Sequence, residues 1–209
     1  GSEGKLSKRL GSLGAAHFRE AGIEPQALVA LLARLGTSDP VDPTLDADAL
    51  AASFDLSRFG RAPARFDDAE LERVNASVVH GLAFDDVAGR LPEGMDAAAW
   101  EVIRPNLARV SEAADWWGVV TGPIDAPAFD DDDHAYLAAA AAVLEAQVWD
   151  GEIWKALTGA LKETTGRKGK ALFLPLRLAL TGREHGPDMA ALLPLIGKDA
   201  ALERLRKAG

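Results

Sequence analysis

The stretch EPQALVALLARLG (residues 24–36) predicts an amphipathic α-helix and shows the pattern on which most of the chain is built. Pro25 suits the first turn of a helix, and Gly36 is a typical stop signal. Four leucines recur at the three- and four-residue spacing of one helical face: Leu28, Leu31, Leu32 and Leu35. This face is predicted to pack against the protein core.

The same period continues to the end of the chain. A further apolar stripe restarts after the break at Pro105, with Leu107, Val110, Ala114 and Trp117 on one face. Further helices are predicted at residues 46–54, 66–82, 85–91, 134–147, 150–164, 175–181, 187–196 and 199–207. The helix at 66–82 places Leu71, Val74 and Val78 on one face. No segment alternates in the manner of a β-strand, so the fold class is predicted to be all-α.

Composition excludes several classes of protein. The chain has 209 residues, 48% of them hydrophobic, and a formal net charge of -9, so no basic field over the whole molecule indicates nucleic acid. Cysteine is absent, which excludes disulfide frameworks, thiol nucleophiles and the usual structural zinc sites. No run approaches the roughly 18 apolar residues of a membrane span, and no leader precedes the first helix. We therefore expect a cytoplasmic protein without membrane contact.

Four consecutive aspartates at residues 130–133 precede an alanine-rich helix. Carboxylates in a first turn complement the helix dipole, and adjacent carboxylates on a helix diverge. No other ligands stand at the spacing of a cation-binding loop, so we expect a helix start and no metal site.

The basic stretch Lys5-Leu6-Ser7-Lys8-Arg9 is followed by a glycine-rich segment. Lysines three residues apart can place two ammonium groups on a polyphosphate, where they favour a charge-dense transition state. The stretch is not a P-loop, because the required glycine and lysine pattern is missing. On spacing alone, a basic surface loop explains it better.

A second basic segment covers residues 166–185, where five basic residues and one acidic residue give a local charge of +4. The basic residues are Arg167, Lys168, Lys170, Arg177 and Arg183. Cations beside an aromatic ring suit single-stranded nucleic acid, which needs charge neutralisation and a stacking surface. The alternative is a core segment with solvated charges, in which Phe173 is buried and Pro175 starts a short helix. We likewise assign the tryptophans to helix packing.

Several segments resemble the carboxy-terminal part of bacterial glutamyl-tRNA synthetases. Residues 5–9 resemble the family's form of the class I lysine signature. Residues 24–36 resemble the first helix of its stem-contact region. FDLSRFGRAPARFDDAELERVN (residues 54–75) resembles the family's central run, except that Val74 stands where a large aromatic is common. KGKALFLPLRLALTGREHGPDMAALLPLIG (residues 168–197) resembles its distal anticodon-binding signature. Two distant signatures in this order, with the central run between them, make the resemblance to this family highly specific.

The resemblance implies an all-α architecture in three parts: a signature loop and stem-contact region (1–80), then two helical anticodon-binding subdomains (81–127 and 128–209). It implies that the complete enzyme ligates glutamate to tRNA with ATP and Mg²⁺. Lys8 would contact the ATP phosphates, with Lys5, Ser7 and Arg9 completing the ATP-binding loop. The nucleotide-binding fold is not found in this chain, so we expect the fragment to be inactive and to bind no cofactor.

The expected partner is tRNA-Glu, with tRNA-Gln left open, and the chain is expected to be a monomer that does not bind DNA. The hypothesis assigns tRNA contacts to four basic side chains of the distal segment: Arg167, Lys168, Lys170 and Arg177. The competing interpretation is an all-helical protein-interaction module derived from a synthetase, which the acidic total favours slightly. A self-contained nucleotidyl-transfer enzyme is disfavoured, because one lysine loop cannot build an ATP site alone.

Overall fold

The computed structural model describes residues 14–44 and 46–209, in which α-helices are joined by turns and short 3-10 helices and no β-strand occurs. The prediction of an all-α fold is confirmed. The chain divides into two compact units: the residues up to 93 with 104–113, and residues 94–103 with 114–209. The proline-containing segment 122–129, which holds the predicted boundary between the two anticodon-binding subdomains, lies within the second unit. The three-part functional division stays a prediction.

The first unit is built around two packed helices, α2 and α4. Its helices are α1 (Ala15–Glu20), α2 (Pro25–Arg34), α3 (Ala47–Ala52), α4 (Asp68–Gly81) and α5 (Phe84–Val87). Short 3-10 helices lie at Leu56–Arg58, Ala88–Arg90, Arg104–Asn106 and Val110–Glu112. The buried cluster of this unit contains Ile23, Ala27, Ala30, Leu31, Leu50, Leu71, Val74 and Val78. The predicted face of α4 is therefore confirmed.

The predicted face of α2 is partly wrong. Ala27, Ala30 and Leu31 are its buried residues, whereas Leu32 is 48% exposed. Every residue from 27 to 33 is apolar, so hydrophobicity alone cannot define one face. Because alanines have small side chains, this face allows a close approach of the neighbouring helix.

Asn75 is fully buried on α4 and connects two loops of the first unit. Its Oδ1 accepts a hydrogen bond from the Glu24 backbone N–H at 2.7 Å, and its Nδ2 donates to the Ala108 carbonyl oxygen at 2.7 Å. The preceding residue, Val74, is 5% exposed and belongs to the core cluster. A valine thus fills the position at which the resembling family commonly has an aromatic side chain.

Replacing Asn75 with alanine should destabilise the first unit by about 2 kcal/mol, because the buried Glu24 N–H and the partly buried Ala108 carbonyl would lose their partner. Hydrogen exchange of the α4 amides measures this effect. Tryptophan fluorescence does not, since all five tryptophans lie in the second unit. Ser77→Ala on the exposed face of the same helix is the control and should change little. Equal protection of α4 in both variants would contradict the bridging role.

The second unit contains the remaining helices. These are α6 (Ala97–Ile103), α7 (Ala113–Thr121), α8 (Asp131–Ala146), α9 (Ile153–Thr165), α10 (Lys170–Thr181), α11 (Met189–Ile196) and α12 (Lys198–Ala208). Helix α8 packs against α9 and α12, and α10 packs against α12, α8 and α9. The fully buried side chains of the second unit include Trp100, Leu137, Leu144, Leu157, Leu161, Leu176, Leu180 and Leu192.

The predicted stripe after Pro105 is correct at its start and wrong at its end. Leu107 and Val110 are buried, but Ala114 is exposed and Trp117 is half-buried. Ala113 and Trp116 are buried instead, one residue earlier. The 3-10 helix at Val110–Glu112 has three residues per turn, so it shifts the register that an α-helical period assumes.

The acidic run starts α8, as predicted. The Asp130 side chain accepts a hydrogen bond from the Asp133 backbone N–H at 2.8 Å, so Asp130 is the N-cap. Asp131, Asp132 and Asp133 form the first turn, where their charges complement the helix dipole.

Arg204 on α12 fixes the ends of two other helices. Its guanidinium donates to the Leu180 carbonyl oxygen at 2.7 Å, near the end of α10. It also donates to the Val119 and Gly122 carbonyl oxygens at 2.8 and 2.9 Å, at the end of α7. A cation at these carboxyl ends satisfies carbonyls that have no partner within their own helices. Burial lowers the pKa of Arg204, although an arginine stays protonated at neutral pH.

Tyr136 links α8 to α10 within the core. The side chain is 3% exposed, and its hydroxyl donates to the Leu172 carbonyl oxygen at 2.7 Å. Burial raises the pKa of Tyr136 to about 12, with Asp133 acting in the same direction and Arg167 against it. The neutral hydroxyl is therefore the form that the fold stabilises.

The second unit should lose stability as the pH rises from about 10 to 12, because the unfolded chain releases the tyrosine proton that the folded chain keeps. Tyr136 is the only tyrosine, so tyrosinate absorbance reports this group alone. Tyr136→Phe should lower stability by about 1 kcal/mol at neutral pH and remove this part of the alkaline loss. A tyrosinate transition at about pH 10 in the folded protein would refute the assignment.

Candidate nucleic-acid interface

The predicted ATP-binding residues Lys5, Ser7, Lys8 and Arg9 lie outside the described residues, and their roles stay predictions. Among residues 14–44 and 46–209, no group of three histidine, aspartate or glutamate side chains is arranged to hold a metal ion. In the same ranges, none of the helices is long and apolar enough to cross a bilayer. The predicted site residues that the structure describes are those of the distal basic segment: Arg167, Lys168, Lys170 and Arg177.

Helix α10 begins at Lys170, five residues before the proline that was predicted to start it. Pro175 lies inside the helix, so that prediction is wrong. A proline has no N–H to donate to the carbonyl four residues earlier, which here belongs to Ala171. Nη1 of Arg167 donates to this Ala171 oxygen at 3.3 Å. A side chain thus supplies the partner that the proline removes.

Arg167 is committed to contacts within the second unit. Its Nη1 forms an ion pair with the Asp133 carboxylate, and its Nη2 donates to the Asp132 carbonyl oxygen at 2.9 Å. The guanidinium carbon lies 4.3 Å from the centre of the Tyr136 ring, at cation–π distance. The side chain is 21% exposed. These contacts join the start of α8 to the start of α10 and leave little of the guanidinium for a ligand.

Lys168 and Lys170 differ from Arg167. Both residues are exposed, and neither ammonium group forms a hydrogen bond or ion pair within the described part of the chain. A charge without a carboxylate partner is available to an anion from solution.

Arg177 has one donor in use and one buried donor without an acceptor. Its Nη2 donates to the Pro187 carbonyl oxygen at 2.9 Å. Its Nη1 is buried and finds no acceptor among the described residues. Burial lowers the pKa of Arg177, while the Asp188 carboxylate acts in the opposite direction. An unsatisfied buried donor costs free energy, and because Nη1 has almost no surface open to solvent, a ligand does not reach it in this conformation.

The loop at residues 182–188, which carries the Pro187 carbonyl, rests on Trp116. The Arg183 guanidinium lies over the Trp116 ring at 4.6 Å from its centre. Gly186 has a φ of 146°, and a Cβ there would lie 2.0 Å from Cη2 of the same ring. Because only a glycine fits against the indole, this packing sets the position of the loop and, through Pro187, of Arg177.

A cleft of about 540 Å³ flanks the amino-terminal half of α10. Its lining residues are Asp130, Asp132, Asp133, Arg167, Lys170, Ala171, Leu174 and Pro175. The lining carries three carboxylates and two cations, so its net charge is negative and the cleft does not attract phosphate. Lys170 is therefore bordered on one side by negative charge.

Phe173 is exposed, contrary to the core assignment. Its exposed fraction is 44%, and its ring centre lies 6.2 Å from that of the half-buried Trp154 on α9, at an interplanar angle of 36°. The signal for this placement was the three-residue spacing from Lys170 to Phe173, which puts both on one face once α10 starts at Lys170. The predicted helix started at Pro175 and left Lys170 and Phe173 outside it, so their spacing was not recognised as helical. Two other tryptophans, Trp100 and Trp116, are buried as predicted.

Comparison with known proteins identifies the family of this chain. Residues 63–209 match the model of the family described as "Anticodon binding domain". A protein named glutamate–tRNA ligase 1 from Novosphingobium aromaticivorans is 69% identical over 205 residues, which cover 98% of this chain and 46% of the relative. Glutamate–tRNA ligase 2 from Erythrobacter litoralis is 64% identical over 208 residues, or 100% of this chain and 45% of the relative.

A crystal structure of a glutamate tRNA ligase from Elizabethkingia meningosepticum, in complex with its amino acid, superposes with a TM-score of 0.74 at 23% identity. The match covers 100% of this chain and 49% of that chain, and at this identity it shows the fold. The chain spans about half the length of the curated relatives it matches. It belongs to the anticodon-binding domain family, in the form that glutamate–tRNA ligases carry in their carboxy-terminal part.

Proposed function

We propose that this chain is the tRNA-binding part of a ligase that attaches glutamate to tRNA-Glu in the cytoplasm. In this proposal the complete, monomeric enzyme uses ATP with Mg²⁺, and the described residues contribute RNA recognition without catalysis. The family match and the names of the similar ligases support the assignment.

The observation that carries the proposal is the pair of exposed ammonium groups of Lys168 and Lys170, which have no hydrogen-bond or ion-pair partner in the described part of the chain. Arg177 lies two helical turns after Lys170 on α10, and its Nη2 is held by the Pro187 carbonyl oxygen. Unpaired positive charge is thus concentrated at the start of α10 in an acidic chain. Lys168, Lys170 and Arg177, together with Phe173, are called the α10 surface below.

The role proposed for Arg167 differs from that of the other three. Its ion pair with Asp133 and its donation to the Asp132 carbonyl occupy the guanidinium. Arg167 therefore acts on tRNA through the placement of α10, and the phosphate contacts belong to Lys168 and Lys170.

The competing function is a protein-interaction module. The acidic cleft beside α10 favours it, because three aspartates there would attract a basic partner. Co-elution with tRNA separates the two functions, since a scaffold of this kind would not retain RNA.

Replacing both lysines (Lys168→Gln with Lys170→Gln) should weaken tRNA-Glu binding and reduce the slope of log affinity against log salt by about 1.4, or about 0.7 per phosphate contact. Filter binding at several salt concentrations measures both quantities. Arg206→Gln is the control for one lost charge. Its guanidinium pairs with Glu145 near the far end of α8 at 2.8 Å, and its loss should leave the slope unchanged. Unchanged affinity and slope in the double variant would refute the phosphate role.

Lys8→Ala in the complete ligase should slow ATP–pyrophosphate exchange far more than it weakens tRNA binding. The reason is that a phosphate-contacting lysine stabilises charge in the transition state of adenylate formation. Lys5→Ala, in the same loop, gives the comparison for a second cation. Equal losses of exchange and tRNA affinity in the Lys8 variant would exclude a role specific to ATP.

A further inference from the structure

We infer that Phe173 is a stacking surface for an unpaired base of the bound RNA and that Trp154 supports it from behind. The inference rests on the proposed function and adds a base contact to the phosphate contacts. Aromatic side chains bind unpaired bases in this way without requiring a particular sequence.

Phe173 lies between the two cations of α10. It follows Lys170 by three residues and precedes Arg177 by four, so all three side chains share one helical face. Lys170 and Arg177 are separated by a rise of about 10 Å along the helix. A base stacked on this ring lies close to a backbone phosphate bound at Lys170, while Arg177 continues the positive charge along the same face.

Trp154 packs beside the Phe173 ring. It is half-buried in the first turn of α9, and its ring centre lies 6.2 Å from that of Phe173 at an interplanar angle of 36°. An exposed aromatic by itself is ordinary for a protein surface. Phe173 differs from such residues because the Lys170 ammonium group on its face has no partner in the described part of the chain.

Phe54 in the first unit gives the contrasting case. It is 52% exposed and packs on Phe59, with ring centres 5.3 Å apart. The nearby cation Arg58 is paired with Asp39 at 2.7 Å. Phe54 is thus an exposed phenylalanine with an aromatic neighbour, and its nearby cation Arg58 is paired with a carboxylate.

The charges around α10 favour RNA binding beside Phe173 over RNA binding in the acidic cleft. Asp130, Asp132 and Asp133 line the cleft on the side of Ala171 and Leu174, whereas Phe173 is not among its lining residues. Near Trp154, Glu152 is paired with Lys155 at 3.2 Å. The carboxylates therefore disfavour phosphate on the cleft side of Lys170, and the aromatic pair lies outside the cleft lining.

The test is tRNA-Glu binding by the 209-residue chain at several salt concentrations. Phe173→Leu should weaken binding about tenfold and leave the salt slope unchanged, because stacking involves no counterion release. Phe173→Tyr keeps the ring and should bind as the unmodified chain does. Phe54→Leu is the matched control and should also bind normally. Trp154 supplies a second readout, since base stacking on its neighbour should quench a fluorescence component that Trp154→Phe removes.

The outcomes separate this inference from the proposed function. If Phe173→Leu binds normally and Trp154 is not quenched, while the lysine variants still lose salt slope, the stacking role is wrong and the tRNA function stands. If the unmodified chain binds no tRNA at any salt concentration, both fail. If Phe173→Leu disturbs folding, Phe173→Tyr and the Trp154 signal still test the contact, and an absent quench overturns it.

Discussion

The second unit depends on the guanidinium of Arg167, which joins the starts of α8 and α10. It pairs with Asp133, contacts the Tyr136 ring and supplies a donor to the Ala171 carbonyl that Pro175 leaves without a helical partner. With that carbonyl satisfied, α10 accommodates its internal proline. Tyr136 and Arg204 hold the same helix at the Leu172 and Leu180 carbonyl oxygens, so the position of the α10 surface follows from these three side chains together.

The sequence pattern was sufficient for most of the helices, but it missed α1 and the start of α10 and left some helical faces undecided. On α4 the apolar positions stand among charged residues, so Leu71 and Val78 were assigned correctly. On α2 the uninterrupted apolar run from 27 to 33 allowed several faces, and the choice of Leu32 was wrong. At Trp117 the error came from a 3-10 turn, whose period differs from that of an α-helix.

The candidate site could be located by charge, but its members could not be assigned roles in the same way. A local excess of arginine and lysine was visible at residues 166–185. Which cation is occupied depends on residues distant in sequence: Arg167 pairs with a carboxylate 34 residues earlier, and Arg177 donates to a carbonyl 10 residues later. Phe173 was misplaced because a proline usually starts a helix, whereas here a side chain compensates for it.

Under the proposed function, an acidic chain has to keep its carboxylates away from RNA phosphates, and in the second unit the helix starts contribute to this. Asp131, Asp132 and Asp133 stabilise the first turn of α8 through its dipole, and Asp133 also holds Arg167. Two of them, Asp132 and Asp133, border Lys170 on the cleft side and make that side unfavourable for phosphate. The charges that stabilise the fold therefore also restrict where RNA can lie, and the proposed binding surface is the part of α10 that they leave open.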